Sequence, residues 1–411
     1  MKKVVFIGGV FAKENEAEIL ENAKKPVEYS ANVFQKKMIA GFRAIASDSI
    51  DFRVLSAPFI GSYPNACTKR SFKGFKESQT EYEYVNFNNI WGLRNFSRAK
   101  ALKKALKGYI KDTAEEKTLI VYSPHTPFLE AAVWAKKKDP KIKICLVIPD
   151  LPQYMNLSAK KSLLYRVGKK FDIRKFNKLN KSVDSYVLLT EAMKERIDVH
   201  GKPCRIVEGI VTEEELANGK SLLAQAQKDP TVKTVVYTGK LYERFGAKGL
   251  VDSFLMLQNP QYRLVICGDG DAAEYVKSAA EKDPRIQWLG QVSAATAKEW
   301  TFKADVLVNP RRNDEEYTKY SFPSKNIEYL LSGNPVVAYR LDGMPKAYGD
   351  MMRLVSDGDA RGLTEAFAEE IELALSKPYS NAAFETYAKE HLSAKQIALD
   401  ILAFYLITKR K

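Results

Sequence analysis

Short apolar runs rich in Val and Ile recur along this chain of 411 residues, each separated from the next by a longer stretch of helical periodicity. In the first half they are Val4–Ile7, Phe52–Leu55, Thr118–Tyr122, Lys143–Ile148, Ser185–Leu189 and Arg205–Val207. In the second they are Thr234–Tyr237, Tyr262–Ile266, Ile286–Leu289, Val306–Val308, Pro335–Ala338 and Arg353–Val355. A strand that is apolar on both sides must be covered on both sides, and intervening helices supply the cover, so the pattern predicts parallel sheets in an α/β fold. Two such sets predict two doubly wound, Rossmann-like domains, which suits a length beyond that of one ordinary core. The polar passage at 208–230, with Thr212–Glu215 and Gln225–Pro230, marks the break. We expect domains at 1–207 and 208–387, then a terminal helix over 388–411 packing back on the domains.

With 45% hydrophobic and 28% charged residues the composition is that of a soluble globular protein, and no apolar run approaches the ~20 residues of a membrane-spanning helix. Met1–Ile7 begins like a signal peptide, but Gly8-Gly9 ends the run at once, so it reads as a first buried strand. Cys67, Cys145, Cys204 and Cys267 form no Cys-x-x-Cys pair, and His125, His200 and His391 are equally scattered. That spacing argues against a structural zinc or a disulfide framework and for a reducing cytoplasm, with no metal expected.

The formal charge is +15, and its distribution is uneven: roughly +17 over residues 1–210 and roughly −2 over the rest. Much of it lies in Lys100–Lys107, Lys136–Lys143 and Lys160–Lys181. The last segment, with Leu163, Leu164, Tyr165, Val167, Phe171 and Phe176 interleaved, reads as an interfacial patch for anionic lipid, a nucleic-acid surface or a solvated amphipathic helix.

Ligands of doubly wound sheets bind beyond the carboxyl ends of the strands, so the loops after the runs are the places to look. Gly8-Gly9 after the first run lets backbone approach a ligand closely, and Asn32 and Gln35, on a helix suggested over Ala31–Ala44, are placed to line the same cleft. His125 in Ser123–Thr126 and Asp150 between Pro149 and Pro152 also follow strands. Asp150 suits a base or a hydroxyl-orienting group as well as a turn cap.

The second half is denser. Gly239-Lys240, Arg244 and Lys248-Gly249 set cations beside glycines at a strand-to-helix turn, as a diphosphate requires. Gly268, Gln291 and the Asn309–Arg312 loop follow the next strands. Tyr317–Val337 then reads as a polar loop, a short helix and a strand, with Pro323 in the first turn, Ser321 or Ser324 near the cap and Gly333 at the stop. The free N–H groups of such a turn, with Lys325, suit a phosphate, and Glu328 suits hydroxyls; an ordinary capped helix is the other reading.

Gly239-Lys240 to Lys248-Gly249, Ile266–Gly270, Trp288–Gly290, Ala304–Val306 and Phe322–Val337 together resemble the donor-binding half of retaining glycosyltransferases of family 4 (group 1), with the GT-B fold. The stretch from Tyr320 through Gly333-Asn334-Pro335-Val336 is similar to the branch found in bacterial capsular and exopolysaccharide assembly. The resemblance implies two Rossmann-like domains facing a central cleft, the first binding the acceptor through Asn32, Gln35 and His125. Lys240, with Arg244 as a substitute, and Lys248 would hold the diphosphate, and Gly8, Gly9, Gly239, Gly268 and Gln291 would line the donor site. Glu328 would clasp the ribose. The family's other glutamate, eight positions earlier, falls on Tyr320, so Tyr320, Ser321, Phe322, Pro323, Ser324 and Lys325 would take over sugar recognition. Asp150 corresponds best to the family's first-domain histidine.

The activity so implied is metal-independent transfer from a nucleotide-diphosphate sugar to a glycan or lipid-linked acceptor, without a cofactor, in the cytoplasm or on the inner face of an anionic membrane. Two alternatives remain open on sequence: another GT-B sugar-nucleotide enzyme, an epimerase or inverting transferase, and a basic nucleic-acid-binding protein on a doubly wound scaffold. The latter leaves the convergent second-half loops unexplained, so no nucleic acid is expected as a partner.

Overall fold

The computed structural model describes residues 1–11, 13–25, 27–77, 82–152 and 163–407. They form two compact units, Met1–Thr212 joined by the segment from His391, and Glu213–Glu390. The first runs β1 (Lys2–Gly8), α1 (Lys13–Asn22), α2 (Tyr29–Ile45), β2 (Ile50–Ser56), β3 (Ser71–Phe72), β4 (Phe75–Lys76), β5 (Tyr82–Tyr84) and β6 (Phe87–Asn88). It continues through α3 (Arg94–Lys111), β7 (Glu116–Tyr122), α4 (Thr126–Lys138), β8 (Ile142–Ile148), α5 (Leu163–Asn180), β9 (Ser185–Leu188) and β10 (Cys204–Ile206). The second contains α6 (Glu213–Gln225), β11 (Lys233–Thr238), α7 (Ala247–Leu255), β12 (Tyr262–Cys267), α8 (Ala273–Lys282), β13 (Ile286–Trp288) and α9 (Ala294–Lys303). After these come β14 (Val306–Asn309), α10 (Ser324–Leu331), β15 (Val336–Tyr339), β16 (Arg353–Val355), α11 (Leu363–Ser376) and α12 (Ala382–Tyr387), before α13 (Ala394–Ile407) returns to the first unit.

Each apolar run found in the sequence is a strand of one of the two main sheets. The first sheet is ordered β10-β9-β8-β7-β1-β2-β5-β4, and the second β13-β12-β11-β14-β15-β16. In the second, every pairing is parallel, and its first strand, β11, lies beside its fourth, β14: the doubly wound order with a switch point between those two. In the first, β1 lies between β2 and β7, so the chain reverses direction there too.

The expectation of purely parallel sheets is corrected at one edge. β4 pairs antiparallel with β5, and β3 pairs antiparallel with β6. These strands are two or three residues long, too short to carry a readable period. Stacking of Phe75 on Tyr84, with ring centres 4.4 Å apart, supports the edge.

The terminal helix covers Ala394–Ile407, and residues 408–411 of the expected span lie outside the described residues. Its Ile397, Ile401 and Leu402 join Met38, Ile39 and Phe42 of α2 in one buried cluster. Gly41 of α2 permits the approach, since a Cβ there would lie 2.0 Å from the Ala394 carbonyl oxygen.

Gly41→Ala should therefore push α13 off α2 and cost about 1–3 kcal/mol, the usual range for overpacking. Gly108→Ala, on α3 where an added Cβ meets nothing, should be neutral or stabilising by up to about 1 kcal/mol. Paired thermal melts check this; equal shifts for the two variants would contradict the packing described.

Candidate functional site

The carboxyl ends of β11, β12 and β14 in the second unit converge through backbone contacts that only glycine allows. Gly268 has φ 142°, and a Cβ on it would lie 1.7 Å from the Gly239 carbonyl oxygen; one on Gly270 would lie 2.4 Å from that of Leu241. Hydrogen bonds fasten the same loops: Gly239 N–H donates to Cys267 O (2.9 Å), Leu241 N–H to Asp269 O (3.0 Å) and Gly268 N–H to Gly290 O (2.7 Å). The Trp288 indole donates to Gly268 O at 3.0 Å, and Gln291 stands exposed one residue beyond Gly290.

The cations of this rim are exposed and rest on aromatic faces. Lys240 lies over Tyr242 (5.9 Å), Arg244 over Tyr242 and Phe245 (5.2 Å each), and Lys248 over Tyr275 (5.0 Å). Such seating positions a charge without cancelling it, as an ion pair would. Gly246, with φ 80°, lets the chain turn into α7 against the Pro310 carbonyl, which an added Cβ would meet at 1.9 Å.

Arg311, after β14 at the switch point, lies in the Asn309–Arg312 loop that the sequence marked without giving this residue a role. It stacks over Phe245 (5.7 Å) and Tyr317 (5.0 Å) and donates to Ser321 Oγ (3.0 Å), while its buried Nε has no partner. Burial chiefly pulls its pKa below the ordinary value and Arg244 adds a little, while Tyr317 and Glu315 oppose them. A guanidinium held this way, without an ion pair and beside a second arginine, suits an anion. The available signal was its position at the end of the fourth strand of the set.

Helix α10 differs in detail from its expected form. Pro323 occupies the cap position ahead of the helix, and no side chain caps it: Ser321 donates instead to Tyr317 O (3.2 Å). Tyr320 and Phe322 are buried rather than open to a ligand, and Phe322 packs on Tyr348 (5.0 Å). Ser324 and Glu328 are exposed, and Lys325 pairs with Glu328 across one turn at 2.7 Å. Tyr329 beside them is fully buried: its hydroxyl accepts from Thr238 N–H (2.9 Å) and donates to Thr238 O (3.1 Å), tying α10 to the end of β11. Asn309 donates to Asn326 Oδ1 (2.5 Å), bridging β14 and α10.

In the first unit, the glycine loop after β1 is held from within. Gln35 Oε1 accepts from Gly9 N–H and Asn32 Oδ1 from Phe11 N–H, each at 2.9 Å, and both side chains are buried. With those oxygens committed to loop amides, Asn32 and Gln35 shape the loop. Gly8 is required because a Cβ would lie 2.3 Å from Gln35 Oε1, and at Gly9 it would strike the Phe59 ring.

His125 precedes α4, with its ring edge-on to Phe128 (4.7 Å) and Phe59 (5.7 Å) and its Nε2 3.5 Å from Arg98. Arg98 is fully buried, bonds the Pro58 carbonyl, and leaves its Nε unpartnered; Arg94 donates to Ile60 O at 2.8 Å. Burial first, then Arg98, Arg94 and Lys169, hold the His125 imidazole well below its usual pKa. Asp150 keeps solvent access on one side, yet partial enclosure, and next Glu28, push its carboxyl up to about 6. The sequence reading missed Arg94 and Arg98, which lie inside a run that otherwise reads as an ordinary basic helix.

The Lys160–Lys181 patch divides. Residues 160–162, and the side chains through Val167, lie outside the described structure. Phe176 is core, Phe171 is exposed, Lys175 pairs with Glu130 at 2.5 Å, and Asp172 accepts from Thr126 at 2.7 Å. Much of this face of α5 thus packs on α4. No group of three or more metal-binding side chains occurs among the described residues, and no described helix is long and apolar enough to cross a membrane.

Residues 232–374 match the family described as glycosyl transferases group 1. The matching stretch lies within the second unit. Over 139 residues the chain is 32% identical to a phosphatidyl-myo-inositol mannosyltransferase of Mycolicibacterium smegmatis, covering 33% of this chain and 35% of that protein. It thus spans about a third of the length of the curated relative it matches. Among solved structures, sucrose-phosphate synthase from Thermosynechococcus elongatus superposes with a TM-score of 0.60 over 100% of both chains at 14% identity. Anabaena HepE in complex with UDP gives 0.57 over 98% of this chain and 99% of that one, also at 14%. These likenesses establish the GT-B fold.

The depressed pKa of His125 should leave it neutral through the pH range in which an ordinary histidine titrates. Its ring-proton resonance, assigned by loss in His125→Phe, should not move across that range; a midpoint near the usual 6.5 would contradict the environment described.

Proposed function

We propose that the protein is a retaining glycosyltransferase that moves a sugar from a nucleotide-diphosphate sugar to a glycan or lipid-linked acceptor in bacterial surface-polysaccharide assembly. The observation that carries this reading is the cation-bearing rim of the second unit, Lys240, Arg244, Lys248 and Arg311 around interlocked glycine loops at a switch point, inside the stretch matching the group 1 family. Because the neighbour HepE was solved with UDP, uridine diphosphate sugars are the first donors to try.

As the bond between sugar and diphosphate breaks, negative charge grows on the leaving phosphate. Lys240, Lys248, Arg244 and Arg311 stabilise it most at the transition state, aided by the uncapped N–H groups at the start of α10. Four cations supply what a divalent metal would otherwise provide, so transfer is proposed to need none. Glu328, exposed on α10, accepts hydrogen bonds from the ribose hydroxyls once Lys325 gives way. With Tyr320 and Phe322 buried, donor-sugar selection passes to Ser321, Ser324 and Lys325.

The acceptor binds the first unit, where the Arg94–Arg98–His125 group favours an anionic partner such as a phosphate-bearing glycan carrier. Asp150 orients the attacking hydroxyl, and the departing phosphate takes its proton in same-face attack. An acceptor of that kind places the enzyme on the cytoplasmic face of an anionic membrane, which the positive first half of the chain attracts.

Lys248→Ala and Arg311→Ala should each lower donor turnover about 10²–10³-fold, and Glu328→Ala should weaken nucleotide binding about 10-fold or more. Hydrolysis and calorimetric titration with a panel of UDP-, GDP- and dTDP-sugars measure both; wild-type activity in all three variants would sink the assignment. EDTA should leave the rate unchanged. Since Asp150 is elevated to about 6 and needed as carboxylate, transfer should fall as pH drops through about 6, and Asp150→Asn should be slow and flat there.

A further inference from the structure

We propose that the membrane-docking surface is the start and outer face of α3, and not the α5 segment that the sequence singles out. The turn leading into α3 holds Trp91 62% exposed and Leu93 55% exposed, and the first helical turn holds Phe96 at 72%. These are three large apolar side chains within six residues, a cluster that a chain bathed only in water has no physical reason to display. Phe96 is followed on its own face by Lys100, Lys104, Lys107 and Lys111: at about 100° per residue the five fall within about 80° of arc, opposite the buried Arg98, Ala99, Leu102 and Leu106. All four lysines are exposed, and none forms an ion pair among the described residues.

Along the flank of this face runs a groove of about 1260 Å³ between α3 and the β2–β5–β4 edge, with Val5, Leu55, Tyr84 and Leu106 in its floor and Lys76 on its far wall. Its acids are already partnered: Asp51 and Asp112 by Lys3, Glu83 by Lys76 and Glu130 by Lys103. What remains uncompensated is cationic.

An aromatic and aliphatic tip ahead of a row of free lysines fits an anionic bilayer, because Trp, Leu and Phe settle at the headgroup boundary while the lysines meet acidic headgroups. A nucleic acid would match the lysines but leave Leu93 without a function, and a second copy of this basic unit would bring like charges together. In α5, by contrast, Lys175 and Asp172 are engaged with α4 and Phe176 is buried. The inference rests on the proposed membrane partner and not on the donor chemistry.

The test is co-sedimentation of the full chain with phosphatidylcholine vesicles, with and without a third phosphatidylglycerol, at low and high salt. Wild type should bind the anionic vesicles and release them at high salt. Lys100→Gln/Lys104→Gln/Lys107→Gln should weaken binding about 10²-fold and Trp91→Ser/Leu93→Ser/Phe96→Ser at least about 10-fold. Lys169→Gln/Lys170→Gln/Lys178→Gln on α5 should bind within a few-fold of wild type. Donor hydrolysis without vesicles should be equal in all, which shows that each variant is folded and separates this inference from the donor assignment. Full vesicle binding by both α3 variants, or its loss only in the α5 variant, overturns the inference and leaves the membrane partner standing. Absence of wild-type binding removes both. An α3-dependent shift of single-stranded RNA without vesicle binding, or an α3-dependent dimer in sedimentation velocity, overturns it in favour of those partners.

Discussion

The second unit of this molecule depends on one buried hydroxyl. Tyr329 bonds both backbone groups of Thr238, so the helix carrying Glu328 and the strand leading to Lys240 have one fixed relation. Buried polar groups are costly when unsatisfied, and here each satisfies the other. Around this tie the glycine loops interlock at distances that leave no room for a Cβ, which makes the rim rigid and lets it present cations without ion-pairing them. Preorganised charge of this kind is what stabilises a leaving diphosphate.

The first unit solves a similar problem with side chains. Gln35 and Asn32 hold the Gly9 and Phe11 amides, while Arg98 and Arg94 hold the carbonyls of Pro58 and Ile60. Two loops after adjacent strands are fixed by buried polar groups from two helices. Arg98 does this without an acid beside it, so burial first and the arginine charge next hold His125 neutral. Enclosure, and then Glu28, push the Asp150 carboxyl above the ordinary carboxylate range. Stability and chemistry therefore share the same residues there.

The strands, their parallel order and the candidate donor loops were legible because apolar runs and glycine spacing are local. What was not legible was of a different kind. Asn32 and Gln35 stood in the right loop region, but whether an amide side chain faces a ligand or its own backbone depends on how α2 lies against β1. Tyr320 read as an open recognition residue and is buried, and the neighbouring Phe322 packs on Tyr348. Arg311 was visible at a strand end, yet only the switch point beside β11 distinguishes it from any other loop arginine.

What the sequence determined by itself was the alternation of strand and helix, the two-unit organisation, and the glycine-bearing loops that follow the strands of the second sheet. These follow from hydrophobic period and from glycine's backbone freedom, which neighbours in the chain specify. The tertiary structure alone decided which polar groups are turned inward and which cations remain unpaired. Those properties are set by contacts between residues far apart in the chain, as where Tyr329 meets Thr238 and α5 meets α4, and no local pattern encodes them.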